Sequence, residues 1–315
     1  MKYAFIINPA SGRKMHKKRL IHAIEVLAAE HPEEDIRIFY TKSPEDAEIL
    51  ADLIPAETDE DTVVFACGGD GTVQDVVNGL IGHENAILGV VPYGSGNDLA
   101  RALAKGRGNA ADYRVPSRQL GGETFRMDLI KMTWTDGSAE KCRYIVNGVN
   151  IGFDGNTAIL SNELKKMPGI SGTASYMLAV IKNLAAKKGQ RLRITADGKA
   201  FHTGDLLLAT AANGGFCGGG VESCPNAELT DGLIELMAIK DVTRRRFAAL
   251  FPAYKEGRIF QKKGIENIIN YSQVKSVTIE PMLGDEMGFV GDGEEFHTAA
   301  VHLEIVPEAI RVLRP

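Results

Sequence analysis

The chain has 315 residues, 44% of them hydrophobic, which is enough for one large or two ordinary cores and excludes a peptide-sized or disulfide-stapled fold. Both signs of charge are well mixed, and 36 basic against 41 acidic side chains leave a formal charge of −5, so neither a disordered tail nor a whole-surface grip on nucleic acid fits. Cys67, Cys142, Cys217 and Cys224 show no CxxC pair, and with no secretory leader or 18 unbroken apolar residues the expectation is a cytoplasmic chain with reduced thiols and no membrane span.

Residues 3–7 form the first apolar run and are predicted as a strand. It turns at Asn8, Pro9, Ala10, Ser11 and Gly12, after which Leu20, Ile21, Ile24, Leu27 and Ala28 share one helical face. A second strand is predicted at 36–40, and Ser43 then caps a helix opened by Pro44, with Ala47, Leu50, Ala51 and Ile54 inward. Residues 63–67 are continuously apolar, as suits a strand covered on both faces, and end in Gly68, Gly69, Asp70, Gly71 and Thr72. The helix that follows places Val73, Val76, Val77, Leu80 and Ile81 on one side. Residues 87–91 repeat the buried strand and run into Pro92, Tyr93, Gly94, Ser95, Gly96, Asn97 and Asp98 before a helix through Leu103. This alternation predicts an open α/β sheet with its loops at the strand C-termini.

From about Gly121 the texture changes. Strand-like stretches at 143–151, 191–196 and 206–211 follow one another, interrupted by a helix predicted at 175–184. Residues 107–122, rich in Gly, Asn, Pro and Ser, read as a linker. The division expected is an α/β domain at 1–121 and a β-rich domain at 122–305.

The strongest chemical signal is the turn from Gly68 to Thr72. Glycines at a strand-to-helix turn let successive amides face an anion, and the helix N-terminus adds partial positive charge, so phosphate is the natural guest. Asp70 repels phosphate, which leaves it a role through a cation or a hydroxyl proton. A tight turn with a solvated aspartate is the plain alternative. Gly94, Ser95, Gly96 and Asn97 lie at the end of the next strand, and neighbouring parallel strands bring both loops to one crevice. Neither GxGxxG nor GxxxxGK[ST] is present, which disfavours a dinucleotide dehydrogenase and a P-loop enzyme. His297 and His302 lie on opposite faces of a strand-like stretch, so no histidine metal site is expected.

These residues resemble the diacylglycerol kinase catalytic-domain family, particularly its soluble bacterial lipid kinases, with sphingosine kinases as relatives. The likeness runs through Asn8, Pro9, Ser11 and Gly12, then Gly68 to Thr72 with Asn78 and Gly79, then Pro92, Gly94, Gly96, Asn97, Asp98 and Arg101. It continues with Asn147, Gly152, Phe153 and Asp154, the run Gly218, Gly219 and Gly220, then Pro225, Ala227, Leu229, Asp231 and Gly232, and closes on Asp292, Gly293 and Glu294 with Pro307 and Ala309.

The resemblance implies a three-layer α/β nucleotide-binding domain, a C-terminal β-sandwich domain, an active site in the cleft between them, and a last strand, 306–315, that returns to the first domain. It implies that Asn8, Ser11, Gly12, Thr41, Gly68, Gly69, Asp70, Gly71, Thr72, Gly94, Ser95, Gly96 and Asn97 hold ATP. Asp231, a carbonyl at Leu233 and a ligand near Glu228 would hold Mg²⁺, although Asn226 stands where the family commonly has aspartate, which removes a charge from that ion. Asp292 is implied as catalytic base, with Glu294 second to it. By themselves, Gly291 and Gly293 around Asp292 would equally make a hairpin turn. The activity implied is transfer of the ATP γ-phosphoryl group to a lipid hydroxyl, with diacylglycerol, a sphingoid base or another membrane alcohol as acceptor. NAD kinases and 6-phosphofructokinases share the Gly-Gly-Asp-Gly loop, so a soluble acceptor is the competing reading, and a non-catalytic sensor is the third. Membrane contact is expected to be transient, through Arg13, Lys14, Lys17, Lys18 and Arg19 or through Arg244, Arg245 and Arg246 near Phe247 and Phe251. Pairing through the β-rich domain as a homodimer is a further expectation.

Overall fold

A computed structural model describes residues 1–12, 14–106, 108–165, 175, 178–180, 182–183, 189–284 and 286–315. Two compact units emerge, the first Met1–Asp128 with Pro307–Pro315, the second Leu129–Val306.

The first unit alternates β1 (Lys2–Ile7), α1 (Lys14–Glu30), β2 (Asp35–Tyr40), α2 (Asp46–Ala56), β3 (Thr62–Gly68), α3 (Asp70–Leu80), β4 (Ala86–Pro92) and α4 (Asp98–Ala104). The strands pair in parallel in the order β4, β3, β1, β2. Every residue of β3 and β4 is buried, which is why both read as unbroken apolar runs. Phe5 and Phe65 stack at 4.3 Å between centroids, and Leu20, Ile24 and Leu27 of α1 close over that face. The final strand, β15 (Val301–Arg314), adds its end to this sheet, Arg311 and Val312 lying parallel to Ile87 and Leu88 of β4. Arg311 fastens it there, donating from both terminal nitrogens to the two carboxylate oxygens of Asp61 at 2.7 Å.

Two local expectations change. The second helix starts at Asp46, because its carboxylate accepts the amides of Lys42 and Ser43 at 2.6 and 3.1 Å and the Ser43 hydroxyl at 2.9 Å, which holds Ser43 and Pro44 in a turn. The linker expected at 107–122 is not one where the chain is described, at 108–122. Those residues carry a 3₁₀ turn (Asp112–Arg114) and the short α5 (Pro116–Gln119), and the buried Gln119 amide donates to the carbonyls of Val90 and Tyr113 at 3.0 and 2.8 Å.

The second unit is antiparallel. After β5 (Glu123–Asp136), which begins in the first unit, come β6 (Ala139–Ile145), β7 (Gly148–Gly152), α6 (Phe153–Lys165), β8 (Gln190–Ala196), β9 (Lys199–Ala212), β10 (Ile234–Lys240), α7 (Arg244–Lys255), β11 (Ile269–Val274), β12 (Ser276–Pro281), β13 (Met287–Gly291) and β14 (Glu294–Thr298). The pairing order is β14, β13, β7, β9, β8, β12, β15, with β10 joining β9 to β11. Strand alternation divides β10 between two cores: Ile234, Leu236 and Ala238 face one, Met237 and Ile239 the other. The predicted run 143–151 is broken at Val146 and Asn147, between β6 and β7. The predicted helix at 175–184 lies partly outside the described residues; Ser175, Leu178, Ala179, Val180, Lys182 and Asn183 are helical.

Of the basic segments, Arg13 lies outside the described residues, as do the side chains of Lys14 to His16. On α7 the arginines Arg244, Arg245 and Arg246 are exposed, but Phe247 and Phe251 are core residues, Phe247 meeting Phe153 edge-on at 4.7 Å. The amphipathic membrane face expected there therefore has its charge and lacks its apolar half. Among the described residues no helix is long and apolar enough to cross a membrane.

Candidate active site

Parallel register puts the ends of β1, β3 and β4 side by side, Ile7 opposite Cys67 and Gly68 opposite Pro92, and so gathers three loops. The Asn8 amide donates to the Cys67 carbonyl at 3.1 Å, and its side-chain nitrogen reaches the hydroxyl of the buried Thr72 at 3.1 Å. The Gly68 carbonyl accepts the amides of Tyr93 and Gly94 at 2.8 and 3.1 Å. Gly94 has no room for a side chain, because a Cβ would collide with the Gly69 Cα. Gly12 takes φ +69°, and a Cβ there would stand 2.8 Å from the Tyr93 carbonyl. Thr41 is buried beside the end of β1, its amide donating to the Ile7 carbonyl at 3.1 Å, while Ser11 closes the first turn onto the Asn8 carbonyl at 3.1 Å and Ser95 is exposed. Asn8, Gly12, Gly68 to Thr72 and Gly94 to Asn97 thus form one cluster.

Asp70 is the first residue of α3, and its carboxylate accepts the amide of Asn97 at 2.9 Å and that of Asp98 at 2.7 Å. It therefore staples the second loop to the first, and Gly96 must lack a side chain because a Cβ would strike this carboxylate. Asn97 holds the left-handed conformation, φ 57°, that opens α4. Gly71 is different: nothing lies within 4 Å of where its Cβ would stand. Space at the N-terminus of α3, beside amides free of side chains, is what an oligophosphate requires. The carboxamide oxygen of Asn97 is buried there with no partner among the described residues. Asp70→Asn exchanges one of the two acceptors for a donor that faces an amide, and is expected to lower stability by ~1.5–3 kcal/mol in urea unfolding followed by circular dichroism.

In the second unit Asp292 sits at the β13–β14 hairpin with φ 45°. Its carboxylate accepts three successive backbone amides, those of Val146 at 2.5 Å, Asn147 at 2.9 Å and Gly148 at 3.0 Å. The chain makes that nest where it leaves β6 and enters β7. Glu294 instead pairs with Arg143, Nε to Oε2 at 3.0 Å and Nη2 to Oε1 at 3.3 Å. Neither the nest nor Arg143 was singled out from the sequence; the signal was the dipeptide Asn147-Gly148, a turn former inside an apparent strand.

Asp231 is exposed and closes its own turn, Oδ1 accepting the Leu233 amide at 3.0 Å, and Glu228 is exposed three residues earlier. Among the described residues no three carboxylate, thiol or imidazole groups gather as a metal cage. An ion here would rest on two carboxylates, a carbonyl and water, a ligand set that Mg²⁺ accepts. Asn226 donates to the Tyr271 hydroxyl at 3.1 Å, and burial together with the Glu235 carboxylate pushes that phenol up, so it stays neutral.

The sequence matches two family models in tandem, the diacylglycerol kinase catalytic domain over residues 2–132 and the YegS C-terminal NAD kinase beta sandwich-like domain over residues 147–314. The chain belongs to the lipid kinase family that carries these two domains. This kinase is 29% identical over its whole length to a diacylglycerol kinase of Mycobacterium tuberculosis (strain ATCC 25618 / H37Rv), spanning 95% of that protein. It is 28% identical to the lipid kinase YegS of Escherichia coli (strain K12) across 80% of its own length and 78% of the other. Its fold matches the crystal structure of a diacylglycerol kinase from Bacillus anthracis str. Sterne with a TM-score of 0.71 at 22% identity, covering 100% of this chain and 97% of that one. The kinase thus joins an N-terminal catalytic domain of α/β type to a C-terminal β-sandwich-like domain.

Proposed function

We propose that this kinase moves the γ-phosphoryl group of Mg²⁺-ATP to the hydroxyl of a membrane lipid, diacylglycerol first among the candidates. The observation that carries the nucleotide half is the Gly68 to Thr72 turn, with its open space at Gly71 and its carboxylate turned away into the second loop. The lipid half rests on a full-length likeness to a protein named diacylglycerol kinase. Asn8, Ser11, Gly12, Thr41, Gly68 to Thr72 and Gly94 to Asn97 are the residues assigned to ATP. Asp70 serves by holding Asn97 and Asp98, and through them the loop on which the phosphates rest. When bound, Mg²⁺ neutralises phosphate charge; Glu228, Asp231 and the Leu233 carbonyl are the residues assigned to a structural ion.

Asp292 is the assigned base. The lipid hydroxyl oxygen forms a bond to the γ-phosphorus, the bond from that phosphorus to the β–γ bridging oxygen breaks, ADP leaves with the electron pair, and the hydroxyl proton passes to the Asp292 carboxylate. The three amides fix the carboxylate in place beside the turn that leads into β7. Glu294 holds the hairpin through Arg143. Contact with the anionic bilayer surface is assigned to Arg244, Arg245 and Arg246, whose attraction is electrostatic and falls with salt.

The test is transfer of labelled γ-phosphate to diacylglycerol, sphingosine, ceramide and phosphatidylglycerol in mixed micelles, with NAD and fructose 6-phosphate as soluble controls. An organic-phase product, lost in Asp292→Asn and retained within about tenfold in Glu294→Gln, is expected. Product from a soluble acceptor alone would overturn the lipid half and leave the nucleotide half standing.

A further inference from the structure

We infer that the carboxamide of Asn147 binds and orients the acceptor hydroxyl beside Asp292, an inference that rests on the kinase reading above. Asn147 is 8% exposed, and its backbone is fixed on both sides. Its amide donates to Asp292 Oδ1 at 2.9 Å, and its carbonyl accepts the amides of Asn213 and Gly214 at 2.8 and 2.9 Å. The side chain has none of this: its oxygen is buried with no hydrogen-bond partner among the described residues. That oxygen packs on Gly214, where a Cβ would stand 2.7 Å away. Buried carboxamides are almost always bonded, and one left unbonded on a rigid backbone is held ready for something that arrives later.

The oxygen is enclosed by Gly214, so the nitrogen edge is the one that meets the ligand. A carboxamide nitrogen brings two donors and no acceptor, which suits an oxygen lone pair. Donation to the lipid hydroxyl oxygen occupies one of its lone pairs, leaves the other to attack phosphorus, and turns the hydroxyl hydrogen toward the Asp292 carboxylate, which the Asn147 backbone itself holds. The ligand class is a primary or secondary alcohol presented at the end of a lipid.

The test compares wild type with Asn147→Ala and Asn147→Asp, the second keeping the shape and the oxygen on Gly214 while removing the donor. With dioctanoylglycerol in mixed micelles, both variants are expected to lose roughly 10- to 100-fold in kcat/KM for the lipid, the effect of one or two hydrogen bonds. The KM for ATP should stay within twofold, and the Tm of Asn147→Ala should not fall, since that change removes an unbonded buried oxygen; Asn147→Asp buries a carboxylate beside Asp292, loses stability on that account, and is read by its kinetics alone. A purely structural role would instead lower the Tm of Asn147→Ala and disturb both substrates, and that result overturns the inference. So does wild-type lipid kinetics in either folded variant. Absence of lipid phosphorylation by the wild type takes down the functional reading and this inference together, whereas an active wild type matched by its variants removes this inference alone.

Discussion

Asp292→Asn is expected to lower turnover by roughly 10²- to 10⁴-fold, the range that removal of a positioned general base produces. The variant should still fold. Asparagine is among the residues that tolerate the left-handed backbone found at this position, φ 45°. It does not replace the carboxylate in the nest, however. Three amides converge on two oxygens in the wild type, and in the variant at least one of them faces a side-chain nitrogen, donor against donor. The expected penalty is ~1–3 kcal/mol, visible as a lower urea midpoint. Turnover and stability thus fall together, and the pH profile separates the two causes. If Asp292 is the base, the acidic limb of kcat/KM that reports a carboxylate disappears; if it only supports the hairpin, the limb survives at reduced amplitude. Full turnover in folded Asp292→Asn removes the base assignment.

The second large effect is a contrast between two glycines of the nucleotide loops. Gly94→Ala drives a methyl into the Gly69 backbone, which no rotamer change relieves, so the two loops must part. Stability is expected to drop by ~1–3 kcal/mol and ATP binding to be lost with it. Gly71→Ala meets no atom within 4 Å and sits inside the first turn of α3, where alanine is the better helix former. It should therefore be as stable as wild type or more so, by up to ~1 kcal/mol, while binding ATP at least tenfold more weakly, because the methyl occupies the space assigned to phosphate. Urea unfolding and fluorescent nucleotide titration read the two quantities separately. Unchanged ATP affinity in Gly71→Ala would sink the phosphate assignment of this turn.

The alternation of the first unit was legible because β3 and β4 are buried from end to end and leave no ambiguity of period, and because β3 ends in Gly68 while β4 ends in Pro92, two residues before Gly94. The clustering of the loops followed from parallel neighbours. What Asp70 does was not legible. Sequence chemistry offers an aspartate at a phosphate loop a cation or a proton, whereas its partners are the amides of Asn97 and Asp98, which come from a different strand-to-helix turn. The same limit hid the Asp292 nest: residues 146–148 read as strand interior, and only the hairpin nearly 150 positions later reveals what their amides are for. Residues 107–122 misled through composition, since Gly, Pro and Ser mark a loop until one buried glutamine anchors it to β4.

The path of β15 has a consequence for the order in which the molecule is made. Its early residues pair with β12, Glu304 opposite Ser276, and its last residues with β4, Arg311 opposite Ile87. During vectorial synthesis the first unit leaves the ribosome with all its helices and four of its strands, yet β4 keeps an open, wholly apolar margin until Pro307–Pro315 is translated. Open strand margins are templates for aggregation, so the nascent kinase passes most of its synthesis with β4 open to pairing with the wrong strand. Loss of the last few codons would leave every assigned nucleotide residue in place and still yield a protein unable to seal the sheet that carries them.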